Sequence, residues 1–319
     1  MKQTENQLPI MAITFLRHIQ DRKLPKWIKP MPKKWQEYYT LHHQPFLQQD
    51  TAYGTEICMQ IDKIGYFSPL WREETKKALE QGKEQGAIIA LSSMAEDLPK
   101  GILPFAKGQQ LTALFAMEGA ALAMERMGKK KEDARYVIAD GAFSPVLLDC
   151  LPLWVNHLGI MTDRPACYLP YQEHFLSEQG LSMEIFSSMG NPAFRNADAV
   201  LSFSQNGKGM VYAMQDNSFF LELAGNHRLL RHFAETRGEV VTADGFFFEW
   251  KKEDCPPMLA EAYAFCLCPA FRHFFLENRD AKAAKEALLA LGFSPCGFSI
   301  EEKRRKILRH ESKFPSSFL

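Results

Sequence analysis

The sequence has no excess of charge of either sign. Lys and Arg together number 38, as do Asp and Glu, so the formal net charge is zero. A dedicated nucleic-acid-binding protein needs a basic surplus to displace counterions from phosphates, which argues against that class. Long apolar runs are lacking too, and no stretch approaches the roughly 18 apolar residues of a membrane span. Residues 8–16 lack the basic flank and cleavage site of a signal peptide, so we expect a cytoplasmic protein without nucleic-acid or membrane partners.

Cysteine pairs at metal-ligand spacing are also lacking. The chain has seven cysteines, and Cys266 and Cys268 are separated by a single residue. On a helix these two side chains diverge, which disfavours a metal site. Because the number of cysteines is odd and no export signal is expected, reduced thiols are the expected state. We therefore expect neither a metal centre nor a disulfide framework.

A length of 319 residues favours two domains. Residues 1–50 combine lysines with Trp27 and Trp35, and prolines at 25, 30 and 32 prevent a continuous amphipathic helix. Such an arm either binds nucleic acid or anionic lipid, or packs its aromatic rings onto the body of the protein, and the neutral charge favours packing. Residues 51–134 alternate between strand and helix patterns, and residues 255–319 return to helix. We assign these two segments to an N-terminal, substrate-like α/β domain that is completed by the C-terminal helices.

Residues 135–254 contain the clearest pattern. An apolar strand at 136–139 is followed by a turn, and Ser144-Pro145 is typical of an N-cap and first helical position. The pattern predicts a helix from 145 to about 158, a second strand at 160–162, and further strands that alternate with helices. This alternation predicts a parallel sheet with right-handed crossovers. The predicted fold class is therefore α/β, with a Rossmann-like parallel-sheet domain and a second α/β domain.

The loop after the first strand of this domain is the candidate cofactor site. Dinucleotide-binding loops follow Gly-x-Gly-x-x-Gly, and here only Gly141 matches, with Ser144 at the third position. Asp163 follows the second strand, where an acid accepts ribose hydroxyls, and Arg164 suits the 2′-phosphate of NADP. The alternative interpretation is a polar turn. NAD and NADP are thus candidate cofactors, and the absence of any cofactor is the competing interpretation.

Two side chains in the loop oppose dinucleotide binding. Phe143 puts a bulky ring where glycine normally leaves a path to the helix N-terminus, and Asp140 places a negative charge beside an intended anion site. At about 4 Å and an effective dielectric near 20, such repulsion is on the order of 4 kcal/mol. The loop therefore predicts weak binding of a pyrophosphate.

Three short motifs resemble the group of shikimate dehydrogenases, glutamyl-tRNA reductases and long-chain acyl-[acyl carrier protein] reductases. Residues 108–113 (GQQLTA) are similar to the start of the helix that leads into their nucleotide domain. Residues 196–202 (NADAVLS) are similar to a strand beside their cofactor, which implies a cofactor role for Ser202. Residues 255–262 (CPPMLAEA), together with a later Gly-Phe pair, resemble their closing helices.

The resemblance also implies candidate catalytic residues. Acyl reductases use a nucleophilic cysteine, and Cys255 is the candidate because it precedes a helix start, where the dipole lowers a thiol pKa. The alternative is an ordinary buried cysteine. Lys107 is the candidate for the proton-transferring lysine of shikimate dehydrogenases, or else a solvated surface lysine. No metal ligand set accompanies them.

These observations leave two functional hypotheses open. The first is an NAD(P)-dependent oxidoreductase that acts on an acyl or carbonyl substrate in an interdomain cleft. The second is a binding or regulatory protein that kept the fold and lost the cofactor, since a fold does not fix a function. Both imply a small-molecule ligand, and a homodimer is a candidate assembly.

Overall fold

The structure is a computed structural model that describes residues 11–15, 25–32, 35–36, 39, 46–51, 54–59, 69–84, 86–91, 101–186, 192–205 and 208–299. The described chain forms two compact units. The first comprises Met1–Lys107 and Glu261–Leu267, and the second comprises Gly108–Ala260 and the segment from Cys268 onward.

The first unit contains a five-stranded sheet in the order β2-β3-β1-β4-β5. All neighbours pair in parallel except β2 and β3. Of these strands, β1 lies within residues 1–50, where the sequence predicted an arm, and β2 begins there and ends at Thr51. Trp27 and Trp35 are 60% and 61% exposed, so the expectation that they pack against the protein is wrong. The strands are Met11–Phe15 (β1), Phe46–Thr51 (β2), Gly54–Met59 (β3), Ala90–Leu91 (β4) and Phe105–Ala106 (β5), and helix α1 spans Pro69–Glu84.

The second unit is built on a six-stranded sheet in which every pair is parallel, in the order β11-β10-β9-β6-β7-β8. Its central strands are apolar runs buried on both faces, as helices on either side of a parallel sheet require. This confirms the predicted α/β class with a Rossmann-like sheet. The strands are Arg135–Ala139 (β6), His157–Met161 (β7), Ser182–Phe186 (β8), Ala199–Ser202 (β9), Phe219–Glu222 (β10) and Val241–Ala243 (β11).

Helices cover both faces of this sheet. On one face a core cluster joins Val200 and Phe220 of the sheet to Phe233 of a helix, and on the other face α3 contacts β9 and β10. A smaller antiparallel sheet follows, in the order β13-β12-β14. The remaining helices of the described chain are Gln109–Leu114 (α2), Ala116–Arg126 (α3), Leu169–Gln179 (α4), Pro192–Arg195 (α5), Lys208–Ala213 (α6), His227–Thr236 (α7), Pro257–Leu267 (α8), Pro269–Glu277 (α9) and Ala281–Ala290 (α10). Residues 261–267 of α8 belong to the first unit. The added strands are Gly245–Trp250 (β12), Glu253–Cys255 (β13) and Ser294–Ser299 (β14).

The C-terminal helices α9 and α10 group with this sheet, whereas the sequence analysis assigned them to the other domain. The reason is a buried ion pair: Lys285 Nζ of α10 lies 2.6 Å from Glu118 Oε1 of α3. The same ammonium donates to the carbonyl oxygen of Cys150 at 2.8 Å. An ammonium that is nearly removed from water needs such partners, so α10 is held against this unit.

The connection between β6 and β7 differs from the predicted long helix. It is a six-residue 3-10 helix, Pro145–Cys150, followed by irregular chain. The helix ends at Leu151, whose backbone is extended (ψ 129°), because a residue before proline is disfavoured in the α region and Pro152 comes next. The second strand consequently begins at 157 rather than 160. Ser144 does precede this helix, but its side chain makes no capping hydrogen bond.

Candidate functional site

A pocket of about 370 Å³ lies at the carboxyl ends of the central strands of the second unit. Strands β6 and β9 are neighbours in the sheet. From β6 the chain continues through β7 and β8 toward one edge of the sheet, and from β9 it continues through β10 and β11 toward the other edge. Open parallel sheets bind ligands at the carboxyl edge of such a switch point. The lining residues come from the ends of four strands and from α2: Gln109, Asp140, Gly141, Ala142, Met161, Thr162, Asp163, Phe203, Ser204, Gln205, Leu223 and Ala224.

The first part of the loop after β6 uses its backbone amides internally. The amide of Asp140 donates to Met161 O at 2.8 Å, and that of Ala142 donates to Phe203 O at 3.0 Å. The amide of Gly141 donates to the Asp140 carboxylate at 2.7 Å. A phosphate-binding loop instead points such amides at the ligand. These three amides are therefore not available to a pyrophosphate.

Gly141 serves the approach of two protein segments to each other. A Cβ at this position would lie 2.4 Å from Phe203 O and 2.8 Å from the Cα of Ser204, so only glycine fits against this backbone. Beside it, the Phe143 ring is buried and packs against Phe203 at 4.8 Å and Tyr168 at 6.4 Å between centroids. The ring is therefore held in the interior of this unit, one residue before Ser144.

Asp140 and Arg164 form a bidentate ion pair at the edge of the pocket. Arg164 donates from Nε and Nη2 to the two oxygens of Asp140, both at 2.8 Å, and from Nη2 to Phe143 O at 2.5 Å. Thr162 Oγ1 donates to the same carboxylate at 2.6 Å. The repulsion expected from Asp140 is therefore countered within the protein, and Arg164 is engaged with this carboxylate rather than with a ligand.

These contacts decide the charge state of Asp140. Burial by itself raises the pKa of this carboxyl, but the hydrogen bonds from Arg164 and Thr162 outweigh burial, so the pKa lies below its ordinary value. The hydrogen bond to Asp140 in turn raises the pKa of Arg164 above its usual range. The pair is thus fully ionised at neutral pH.

Asp163 is the exposed carboxylate of the pocket. It directly follows Thr162 and lines the pocket together with Gly141, so the structure brings these two predicted cofactor residues into one site. Among the described lining residues there is no Lys, Arg or His. Apart from Asp140, which Arg164 holds, the lining therefore offers the Asp163 carboxylate and neutral amide and hydroxyl groups.

Two other residues predicted from sequence to bind a cofactor do not line this pocket. Ser202 is fully buried on β9, and its hydroxyl donates to Ser204 O at 3.4 Å. The Ser144 hydroxyl accepts a hydrogen bond from Asn278 Nδ2 at 2.9 Å. Both hydroxyls have structural partners here.

The two predicted catalytic residues are also absent from the described lining of the pocket. Cys255 is 1% exposed on β13, opposite Phe248 of β12. Lys107 is exposed after β5, and its backbone amide donates to Glu261 Oε1 at 2.8 Å. A nucleophile must be reached by its substrate, which a cysteine as buried as Cys255 is not in this structure.

Sequence reasoning missed Thr162 and the segment after β9. Thr162 comes directly after β7, and Ser204 and Gln205 follow β9, so all three lie at the carboxyl edge of the sheet. The side-chain amide of Gln205 donates to Ala224 O, which ties the ends of β9 and β10 together. These positions could have been predicted, because parallel strands bring the residues that follow them to one edge of the sheet.

Metal-binding clusters and membrane-spanning helices are both lacking in the described part of the chain. Its residues contain no group of three or more His, Cys, Asp or Glu side chains arranged to hold a metal ion. None of its helices combines the length and the apolar character that crossing a bilayer requires.

No protein-family model matches the sequence, and no curated protein matches it. Solved structures are similar only at low scores. L-tryptophan dehydrogenase from Nostoc punctiforme has a TM-score of 0.36 and 10% identity, with 89% of this chain and 80% of that chain covered. Shikimate 5-dehydrogenase from Listeria monocytogenes, in complex with shikimate and NAD, has a TM-score of 0.35 and 10% identity over 90% and 99%. A putative aspartate carbamoyltransferase from Trypanosoma cruzi has a TM-score of 0.31 and 9% identity over 74% and 77%. At values this low, the likenesses carry no argument about what this chain does.

Proposed function

We propose that the second unit binds a small hydroxyl-bearing ligand, neutral or cationic and of nucleoside size, in the pocket at the carboxyl edge of its parallel sheet. The observation that carries the proposal is the wall of this pocket, where Asp163 is exposed and no described lining residue is basic. A carboxylate is an acceptor only, so it selects ligand hydroxyl or cationic N–H donors. The pair of hydroxyls on a ribose is the chemical prototype.

The loop after β6 supports a nucleoside-like ligand over a dinucleotide. Amides at 140, 141 and 142 already donate to protein oxygens. The bulky Phe143 is buried in this loop, and the helix that follows is only six residues long. The pocket volume of about 370 Å³ falls at the lower end of the range of roughly 300–1,000 Å³ for small-molecule sites. These features favour the binding or regulatory hypothesis over an NAD(P)-dependent oxidoreductase.

The described wall of the pocket also favours binding over catalysis. It contains no Cys, His or Lys that would serve as nucleophile or base, and one of its two carboxylates, Asp140, is held by Arg164. In the proposed complex Asp163 accepts from ligand hydroxyls. Gln109, Ser204 and Gln205 supply the neutral polar contacts that orient the ligand.

Calorimetric titration of adenosine, AMP, NADH and NADPH tests the proposal. We expect adenosine to bind at least as tightly as AMP and more tightly than either dinucleotide. Asp163→Asn should weaken adenosine binding about 10- to 100-fold, since a hydrogen bond to a charged group contributes about 1.5–3 kcal/mol. Asp133→Asn, an exposed acid elsewhere in this unit, is the matched control and should bind as wild type does.

The dinucleotide hypothesis makes opposite predictions in the same assay. If Asp163 and Arg164 flank the ribose of a bound NADP, Arg164→Ala weakens NADPH more than NADH, because the guanidinium meets only the extra phosphate. Tight NADPH binding with that asymmetry, or adenosine binding that is unchanged in Asp163→Asn, contradicts the proposal.

A further inference from the structure

A second groove lies near the opposite, amino end of the same parallel sheet. Its volume is about 200 Å³. It opens over β6, β7 and β8 and does not share a lining residue with the pocket at the carboxyl edge. The lining residues are Arg135, Tyr136, Val137, His157, Leu158, Gly159, Ser182, Glu184, Phe186, Ala193 and Asn196.

Strand register explains how this groove is formed. Val137, Gly159 and Glu184 are partners across the three strands and therefore lie on one face of the sheet. Gly159 forms the low point between the other two. A Cβ there would lie 3.2 Å from both the Phe186 ring and Val137 Cγ2, so a larger residue would crowd the floor of the groove.

The groove carries opposite charges that do not neutralise each other. Arg135 stands two positions before Val137 on β6, and Glu184 stands on β8. With about 4.8 Å between strands and about 3.3 Å per residue, their Cα atoms are roughly 12 Å apart. In the part of the chain that the structure describes, neither side chain forms an ion pair. Both are exposed.

The Asp198 carboxylate binds groups other than the Arg135 guanidinium. Asp198 accepts from Lys129 Nζ at 2.6 Å and from the backbone amide of Arg135 at 3.0 Å. The charge of Asp198 is thus matched by Lys129. Its hydrogen bond from the Arg135 backbone amide fixes the start of β6. The Arg135 side chain remains available to an anion in the groove.

We propose that this groove binds a small zwitterion of amino-acid size, with its carboxylate on Arg135 and its ammonium group on Glu184. Arginine binds carboxylates through two parallel hydrogen bonds, and a carboxylate accepts from an ammonium group. The volume of about 200 Å³ is little more than half that of the carboxyl-edge pocket, which favours an amino acid over a nucleotide. The apolar floor formed by Val137, Gly159 and Phe186 receives the ligand's side chain.

The test is a thermal-shift screen of the 20 common L-amino acids with the full chain, followed by calorimetry on the ligand that stabilises most. We expect at least one amino acid to raise the melting temperature in a dose-dependent way. Its amide, which lacks the carboxylate, and its N-acetyl form, which lacks the ammonium group, should each bind at least tenfold more weakly. Arg135→Gln and Glu184→Gln should each cause a similar loss.

Matched variants distinguish binding in this groove from binding elsewhere on the protein. Arg228→Gln and Glu178→Gln change exposed charges on α7 and α4 and should leave binding unchanged. Asp163→Asn, in the carboxyl-edge pocket, should also leave it unchanged, so this inference and the proposed function fail separately. The inference is overturned if no amino acid binds at millimolar concentration, if binding survives Arg135→Gln and Glu184→Gln, or if Asp163→Asn abolishes it.

Discussion

Replacing Arg164 with methionine should destabilise the second unit by leaving a buried carboxylate without its cation. Asp140 has a side chain that is only 3% exposed, and its two oxygens accept both hydrogen bonds of the pair. After the substitution, Thr162 and the Gly141 amide still donate to it, but both donors are neutral. Methionine keeps most of the aliphatic stem, so the loss is mainly electrostatic.

The magnitude follows from the different exposure of the two partners. Breaking a fully buried pair by removing one partner costs about 3–5 kcal/mol, whereas exposed pairs contribute about 0–1 kcal/mol. The Arg164 side chain is 45% exposed and partly screened by water, so we expect about 2–3 kcal/mol at pH 7. Asp140→Asn combined with Arg164→Met should be less destabilised than Arg164→Met alone, because a neutral amide needs no cation.

The pH dependence has a definite sign. In the wild type the pKa of Asp140 is depressed, so the pair stabilises the fold above the unfolded pKa of about 3.9 and loses that contribution as the pH falls through the lower folded value. In Arg164→Met, burial raises the pKa with less opposition. The carboxyl then protonates earlier as the pH falls, and the difference from wild type shrinks between pH 7 and pH 4.

Urea titration with hydrogen exchange of the β6 and β7 peptides measures this unit separately from the first. Arg228→Met changes an exposed arginine that forms no ion pair within the described chain; it is the control and should stay within about 0.5 kcal/mol of wild type. A cost of Arg164→Met below about 0.5 kcal/mol, or one that grows as the pH falls, would refute the reasoning.

Two further perturbations test neighbouring features. Gly141→Ala should destabilise this unit by about 1–3 kcal/mol, because the added Cβ would collide with backbone atoms. Gly238→Ala is the control and should change the stability little, because no heavy atom lies within 4 Å of a Cβ added there. Equal melting temperatures for the two variants would contradict this packing. Iodoacetamide at pH 8 should label the exposed Cys167 in the native protein and spare Cys150, because burial raises the pKa of the Cys150 thiol to about 12. Mass spectrometry of native and urea-unfolded samples measures the labelling. Equal labelling rates of the two cysteines in the native protein would contradict this prediction.

Part of the candidate site could be predicted from sequence because it depends on local patterns. The apolar run of β6 and the glycine after it placed Gly141 at the carboxyl end of a parallel strand, and the spacing to the next strand placed Asp163 there too. The alternation of strands and helices gave the class of fold. These patterns are local in the sequence, and the tertiary structure is consistent with them.

The pairing of Asp140 with Arg164 could not be predicted because it depends on where β7 ends. The sequence pattern predicted a helix that continued through Pro152 and a second strand that began at 160, which hid the register. In the structure Ala139 is the partner of Met161, so the residues that follow each strand, Asp140 and Thr162, meet at one level. The Arg164 side chain, which follows a turn after β7, then reaches Asp140.

The C-terminal helices illustrate a second limit. Their apolar faces predict that they are buried, but periodicity alone does not say against which unit. The information lies in a contact distant in sequence, the pair formed by Lys285 and Glu118. A lysine in the apolar stripe of a helix signals that some carboxylate must face it, although the sequence does not identify which one.

The carboxylate of Asp140 is an anion that the loop after β6 holds within the chain itself. It accepts hydrogen bonds from a loop amide, a hydroxyl and a guanidinium, at Gly141, Thr162 and Arg164. These are the donor types that hold phosphates elsewhere. Because this anion is part of the chain, these donors have a partner without any ligand. Asp163 lines the pocket outside this network, which is why the proposed function assigns the ligand contact to Asp163 and not to Asp140.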